Sequence, residues 1–458
     1  MARAAKKETA LTPEEKLVQA LVPEAAQPYQ VPENWCWVYL SGLLREIKNG
    51  TTIKQDKSGE GYSVTRIESL QNQTIDFNRL GTIIDKSEIK ETDWYIAGDI
   101  ALSHINSAEH VGKTALISEA MLPLVHGMNL LRLRFSEALS PLLFQYYSQS
   151  FQYKDAILAR INMAVNQVSI NQKQIGTIEF PLPPLAEQQR IVDRIESLFA
   201  KLDEAKEKAQ AVVDSFEDRK AAILHKAFTG ELIGLSDCNT VALESIVDTI
   251  RIGPFGSALH KEDYIIGGIP VINPKHIVNQ QIVPDEKTTI TKEKADELCG
   301  YKLKNGDIVL GRRGEMGRSA PVTEDQNGWL CGTGSLIIRL QDGYDAAFYS
   351  QIIASHSSVQ YLEENCVGST MSNLNEKIVK GLPVPNYSKE DQQQIVAILV
   401  ALLEKEQQAK EAAEQVIDQI DTMKKAILAR AFRGELGTND PADESAEELL
   451  KRVLRKEL

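Results

Sequence analysis

The segment RKAAILHKAFTGEL (219–232) returns 204 residues later as MKKAILARAFRGEL (423–436), with 9 of 14 positions identical. EQQRIV (187–192) and DQQQIV (391–396) match at the same offset. A repeat at a fixed period means that one structural unit is built twice. Upstream the likeness thins but persists, with Gly98–Leu102 against Gly306–Leu310 and Ile170–Lys173 against Leu374–Lys377. The chain therefore reads head, helix, head, helix, with similar helices and distantly related heads.

Each helix carries an apolar seam. In the first it runs through Ile191, Ile195, Leu198, Leu202, Val212 and Phe216, with Ala205 and Ala209 as small mid-seam residues. In the second it runs through Ile395, Leu399, Leu402, Val416, Ile420 and Ile427, with Ala409, Ala413 and Met423 between them and Glu406 as the polar interruption. This is the 3.5-residue period of a coiled coil. Prolines precede each helix, and Gly230 and Gly434 follow, as helix punctuation requires. About 37 residues give a length of about 55 Å, more than one head covers, so the helices are expected to pair with each other. Helix one feeds the second head and helix two leaves it. Because the termini of a compact domain often lie close together, the pairing should be antiparallel, with the heads at opposite ends of a pseudo-two-fold rod.

The heads carry short β-type runs, among them YSVTRI (62–67), DIAL (99–102), TALIS (114–118), PVIN (270–273), GDIVL (306–310) and SLIIRL (335–340). Helical stretches follow at 141–158 and 345–365. The expected fold is α+β: two mixed α/β heads separated by two long helices in an antiparallel coiled coil. The expected divisions are an extension (1–30), a first head (31–180), a first helix (181–235), a second head (236–382), a second helix (383–436) and a charged tail (437–458).

Composition narrows the function. No run approaches 18 apolar residues, so no membrane span is expected, and the first 30 residues lack the apolar core of a secretory signal. Five scattered cysteines with no CxxC pair argue against a disulfide framework or a structural zinc site and fit a reducing cytoplasm. The net charge of −13 by itself disfavours nucleic acid, and no segment is basic. Yet Arg312, Arg313 and Arg318 cluster among glycines, where guanidinium forks suit phosphates or guanine edges. Catalytic signatures are lookalikes only. HVGKT (110–114) lacks the first glycine of a P-loop, having Ser107 there, and PDEK (284–287) only faintly echoes a nuclease motif. The histidines do not pair at metal-ligand spacing. No enzyme is expected, and no metal.

PLPPLAEQQRIVDRIESLFAKLDE (181–204) followed by RKAAILHKAFTGEL resembles the conserved helix of the DNA-specificity (S) subunit of type I restriction–modification systems. PVPNYSKEDQQQIVAIL with MKKAILARAFRGEL is similar to that family's second copy. Val31–Trp35, Gly253–Ser257 and Gly268–Ile272 resemble segments of its target-recognition domains. Asn386-Tyr387-Ser388 departs from the usual start of the second helix. The resemblance implies a non-catalytic subunit that reads a bipartite, asymmetric site in double-stranded DNA, one half per head. It also implies docking of two methyltransferase subunits and two restriction–translocase subunits. S-adenosylmethionine, ATP and Mg would then sit on those partners, with no cofactor on this chain. Two other readings remain: a coiled-coil scaffold whose heads bind protein, and an enzyme with an unrecognised site.

Polar positions on head loops are the DNA-contact candidates. In the first head they are Lys54, Lys57, Arg66, His104, Asn106, Lys113, Asn166, Gln167 and Ser169. In the second they are Arg251, Ser257, Lys261, Lys275, His276, Arg312, Arg313, Arg318, Ser369, Thr370, Ser372 and Asn373. Arginine suits guanine, and Asn or Gln suits adenine.

Overall fold

The computed structural model describes residues 12–56, 60–164, 167–235, 239–255, 258–366 and 373–456. It divides into two compact units, Met1–Lys208 with Val416–Leu458, and Ala209–Gln415.

In the first unit, strands Leu44–Asn49, Leu130–Phe135, Ile100–Ser103 and Thr114–Leu116 lie side by side in that order, all antiparallel. In the second, Val247–Ile252, Ser335–Leu340, Asp307–Gly311 and Ser319–Pro321 repeat the order and the sense. A second, two-stranded sheet joins Cys36–Tyr39 to Glu179–Leu182 in the first unit and Thr240–Ala242 to Pro383–Pro385 in the second. The chain thus builds one topology twice, as its repeat predicts. Both central strands are buried throughout, which explains their continuous apolar runs.

The helical stretch at 141–158 is two helices, Pro141–Tyr147 and Phe151–Leu158, and that at 345–365 is Ala346–Ile353 and His356–Asn365. The break has one cause in both units. Ser150 Oγ accepts the Tyr153 amide and Ser355 Oγ accepts the Ser358 amide, so each serine caps a new helix.

Each head encloses helix ends. Ile191, Val192 and Ile195 enter the first core together with Leu428, Ala431 and Phe432. Ala227, Ile395 and Leu399 enter the second. Burying such side chains stabilises by about 1.5–3 kcal/mol each. Gln188 and Gln392, one repeat apart, are sealed at the junctions. Gln188 Nε2 donates to the carbonyls of Ala138 (2.8 Å) and Pro183 (3.1 Å), and its Oε1 accepts the Ser140 amide (2.8 Å). Gln392 does the same with Tyr387 O (2.8 Å), Gly343 O (3.5 Å) and the Asp345 amide (2.7 Å). The repeated QQ-x-IV motif is therefore a polar lock between helix and head.

The long helices run antiparallel within each unit. In the first, Lys206 meets Asp421 at 2.9 Å, and Lys424 meets Asp203 with its ammonium 4.9 Å from the Phe199 ring centre. In the second, Arg219 meets Glu406 at 2.7 Å and Lys410 lies 4.7 Å over Phe216. As an unbroken element only the second helix exceeds the expected length. The second is continuous over Lys389–Ala431 (43 residues), whereas the first is Leu185–Asp214 and Phe216–Phe228, interrupted at Ser215. The Ser215 hydroxyl donates back to Ala211 O at 2.5 Å, a bond that bends helices. Arg219 then donates to Val212 O at 3.1 Å.

The seam differs from its apolar reading in the second helix. Ile191, Ile195, Phe216, Ile395, Leu399 and Ile420 are buried, and Leu198, Leu202, Val212, Leu402 and Ile427 are half-buried. Val416, at 40% exposure, and Met423, at 48%, face solvent, as does Ala409. The 3.5-residue period instead passes through Glu406, Lys410, Ala413, Ile420, Lys424 and Ile427. Half-buried Ile417 belongs to this period in place of Val416, and Lys410 and Lys424, reaching over the Phe216 and Phe199 rings, take the places read as Ala409 and Met423.

The ends of the chain belong to the first unit. A helix over Pro13–Ala20 begins at a Thr12–Glu15 capping box. Leu21 bridges Val38, and the Val22 amide donates to Trp37 O, extending the small sheet. The final helix, Ala446–Lys456, buries Leu449, Leu450, Val453 and Leu454 in the same core as Leu17. Glu187, fully buried, accepts from Trp35 Nε1 (2.7 Å), Asn439 Nδ2 (2.8 Å) and Thr438 Oγ1 (3.1 Å), tying the tail to the helix start.

Candidate nucleic-acid interface

In the first unit the chain leaves strand Ile100–Ser103 at His104 and enters the short strand Ile105–Asn106, which pairs with Gln167–Ser169. His104 and Ser169 thereby line one open hollow of about 590 Å³ with Asn49, Asn171 and Lys173. His104 is half-buried and its buried Nδ1 has no hydrogen-bond partner among the described residues. Desolvation lowers its pKa from the ordinary imidazole value, opposed by the Asn129 backbone, so burial disfavours the charged ring.

A second hollow, of about 240 Å³, brings Asn106 and Lys113 together with Glu68 and His110. Asn106 Nδ2 donates to Ser103 Oγ at 3.2 Å, and its Oδ1 accepts the Ser107 amide at 2.9 Å. Arg66 pairs with Glu68 at 3.1 Å. Lys54 and Gln167 are exposed. Lys57 and Asn166 lie outside the described residues.

In the second unit, strand Asp307–Gly311 leads into Arg312, which is 7% exposed. Its amide donates to Gly334 O (3.0 Å) and its carbonyl accepts the Leu374 amide (2.9 Å). Its Nε is buried without a partner among the described residues, as are Ser335 Oγ and Asn373 Oδ1. Burial, and then Arg313, lower the guanidinium pKa from its ordinary value. Arg313 is exposed and bridges Asn373. Arg318 donates to Pro274 O at 3.3 Å, pairs with Glu315, and lines a hollow of about 570 Å³ with Asn279 and Gln280.

Other candidates are engaged. Arg251 Nη1 donates to Gly300 O (2.7 Å), with the guanidinium 6.0 Å over Tyr301. Lys275 Nζ donates to Asp285 Oδ2 (2.5 Å) and Thr288 Oγ1 (3.2 Å). His276 is 3% exposed, its Nδ1 accepting the Asn273 amide (3.1 Å) and its Nε2 facing Asp285 Oδ2 (3.0 Å). These contacts, Lys275 first, hold the Asp285 carboxyl well below the usual carboxylate range. His276 is thus a turn pin rather than a free base reader, and Asp285 of the PDEK segment is its anchor. Lys261 is exposed. Ser257, Ser369, Thr370 and Ser372 lie outside the described residues.

The expectation that loops rather than strands carry the candidates needs correction. Asn106, Gln167, Ser169 and Arg251 are strand residues; Asn106 and Ser169 sit on short strands that flank the hollows, whereas Arg251 lies in the main sheet. Sequence reading missed Asn49 and Lys173, which line the His104 hollow, and Ser335, beside Arg312; Lys173 closes the repeated Ile170–Lys173 segment, while no motif marks Asn49. Among the described residues no three His, Cys, Asp or Glu side chains form a metal-sized cluster, and no helix is long and apolar enough to cross a membrane.

Comparison with known proteins gives a consistent result. A family described as type I restriction modification DNA specificity domain matches twice, over residues 32–213 and 237–417. A Methanocaldococcus jannaschii chain ascribed to the MjaX specificity subunit of a type I restriction enzyme is 38% identical over 216 residues, 45% of this chain and 50% of that one. The chain thus spans about half the length of that relative. The StySPI specificity subunit of Salmonella potsdam is 24% identical over 432 residues, covering 89% and 90% of the two chains. The fold is similar to that of an HsdS subunit from Thermoanaerobacter tengcongensis, with a TM-score of 0.64 at 17% identity, covering 89% of this chain and 99% of that one.

Proposed function

The chain belongs to the type I restriction modification DNA specificity family, and from that premise we propose that it is the non-catalytic subunit that reads a bipartite, asymmetric site in double-stranded DNA. The first head reads one half and the second head the other. The paired helices set the length of the unspecified gap and dock two methyltransferase and two restriction–translocase subunits. S-adenosylmethionine, ATP and Mg belong to those partners, which work with this chain in the cytoplasm.

One observation carries the reading most directly. Both units keep the same four-strand order and the same arginine grip on a buried aspartate, Arg134 on Asp99 and Arg339 on Asp307. The polar residues presented beside those strands differ. A shared frame with different surface chemistry suits two half-sites of different sequence. The weak overall charge fits as well, because partner subunits can supply much of the phosphate neutralisation.

The test is co-purification with the methyltransferase partner, followed by mapping of methylated adenines in DNA that the complex has modified. The expected outcome is a motif of two specified blocks at fixed separation. A complex that forms but leaves no such motif would reject the assignment of the heads.

A further inference from the structure

Residue 104 of the first unit and residue 312 of the second hold the same position. Strand pairing shows it: Ile100 faces Leu133 and Ser103 faces Leu130, while Ile308 faces Ile338 and Gly311 faces Ser335. The next residue along is therefore His104 in one unit and Arg312 in the other. Two further contacts agree. His104 O accepts the Ile170 amide and Arg312 O accepts the Leu374 amide, each at 2.9 Å. Ile105 then pairs with Ser169, and Arg313 bridges Asn373. The helical repeat's 204-residue offset would set His104 against Ile308; the match follows instead the 208-residue offset of Gly98–Leu102 and Gly306–Leu310, and the strand register establishes it.

Both residues carry an unsatisfied nitrogen. His104 Nδ1 and Arg312 Nε are buried without partners among the described residues, and around Arg312 the same holds for Ser335 Oγ and Asn373 Oδ1. Native structures rarely leave buried polar atoms unpaired, and several in one place call for a reason. An incoming ligand with hydrogen-bonding edges supplies one. Among the described residues Arg312 has no such side-chain contact, whereas Asp285 holds Lys275 and His276, Gly300 O holds Arg251, and the Asn129 backbone holds one side of the His104 ring.

We propose that positions 104 and 312 are equivalent base-reading positions, and that His104 with Ser169 and Arg312 with Asn373 make the two heads prefer different bases. The inference rests on the reading of the chain as a DNA-specificity subunit. Arg312 offers a fork of parallel donors that matches the O6 and N7 of guanine, and Asn373 beside it offers the donor–acceptor pair that matches adenine. His104 has no fork of donors and its ring is held on one side by the Asn129 backbone, so it offers one nitrogen at most and discriminates less sharply.

The test uses the full chain assembled with its methyltransferase partner and maps the methylated motif for the wild type, Arg312→His and His104→Arg. Arg312→His is expected to lower the preference for guanine about tenfold or more at one position of one block, with the other block unchanged. His104→Arg is expected to raise guanine preference in the other block alone. An unchanged motif in both variants, or an equal loss at every site with base preferences intact, would overturn the proposal. Should Arg312→His fail to fold, His104→Arg and Arg312→Gln carry the same readout. A wild-type complex that marks no two-block motif would instead overturn the functional reading itself.

Discussion

Arg339 grips the buried Asp307 with two parallel hydrogen bonds, Nε to Oδ1 at 2.8 Å and Nη2 to Oδ2 at 2.7 Å. Arg134 grips Asp99 in the same way in the first unit, at 2.7 and 2.8 Å. Each carboxylate also accepts an amide of its own turn, from Lys304 or Ile96. The pair fixes where the central strand starts, and with it the position of residue 312 or 104 at the strand's far end.

Removing the arginine strands a buried carboxylate. Arg339→Ala is expected to destabilise the second unit by about 3 kcal/mol. Denaturant unfolding of the variant against the wild type checks this, and a change below about 1 kcal/mol would show that solvent reaches Asp307.

Gln188 satisfies three backbone groups at the helix–head junction. Gln188→Ala should cost about 3 kcal/mol, near 1 kcal/mol for each lost bond, and Gln392→Ala a similar amount. Limited proteolysis is expected to open the first unit first in one variant and the second unit first in the other.

The seam register has its own check. Ile420 is buried and Val416 is exposed. Ile420→Ala should cost about 2–4 kcal/mol, whereas Val416→Ala should stay within about 0.5 kcal/mol. Equal losses would restore the register that takes apolar residues alone.

His126 gives a pH dependence. It is 1% exposed with Nε2 on Leu130 O at 3.0 Å, and burial pulls its pKa from 6.5 down to about 3. Above pH 6.5 the ring is neutral in both folded and unfolded chains, and its contribution is complete. Below 6.5 the unfolded chain takes up the proton and the folded one does not, so stability falls by up to about 1.4 kcal/mol per pH unit until about pH 3. Urea midpoints at pH 7, 6, 5 and 4 should diverge between wild type and His126→Gln. Parallel curves would contradict the buried neutral ring.

The parts of this fold legible in the sequence were those set by periodicity. The repeat, the paired helices and strands such as Ile100–Ser103, Asp307–Gly311 and Ser335–Leu340 follow from apolar spacing and turn residues, but their sheet neighbours Leu44–Asn49, Leu130–Phe135 and Val247–Ile252 are not read as strands there. What stayed hidden depends on contacts between distant segments. Lys410 and Lys424 read as surface residues until Phe216 and Phe199 are placed beneath them. The breaks at Ser150 and Ser355 are local capping choices inside helix-forming stretches. The tail reads as charged, yet its helix buries Leu449, Leu450, Val453 and Leu454 in the first core, alongside Leu17. The correspondence of His104 with Arg312 lies two residues past the match of Gly98–Leu102 with Gly306–Leu310, but that match says nothing of the unpaired buried atoms at either position.

The central claim is that the two heads read two different blocks of one DNA site. Selection of bound sequences from random duplexes, using the full chain with its methyltransferase partner, tests it most directly. The account predicts two short specified blocks of unlike sequence, separated by an unspecified gap of constant length. One continuous block, or two blocks whose separation varies freely, would contradict it.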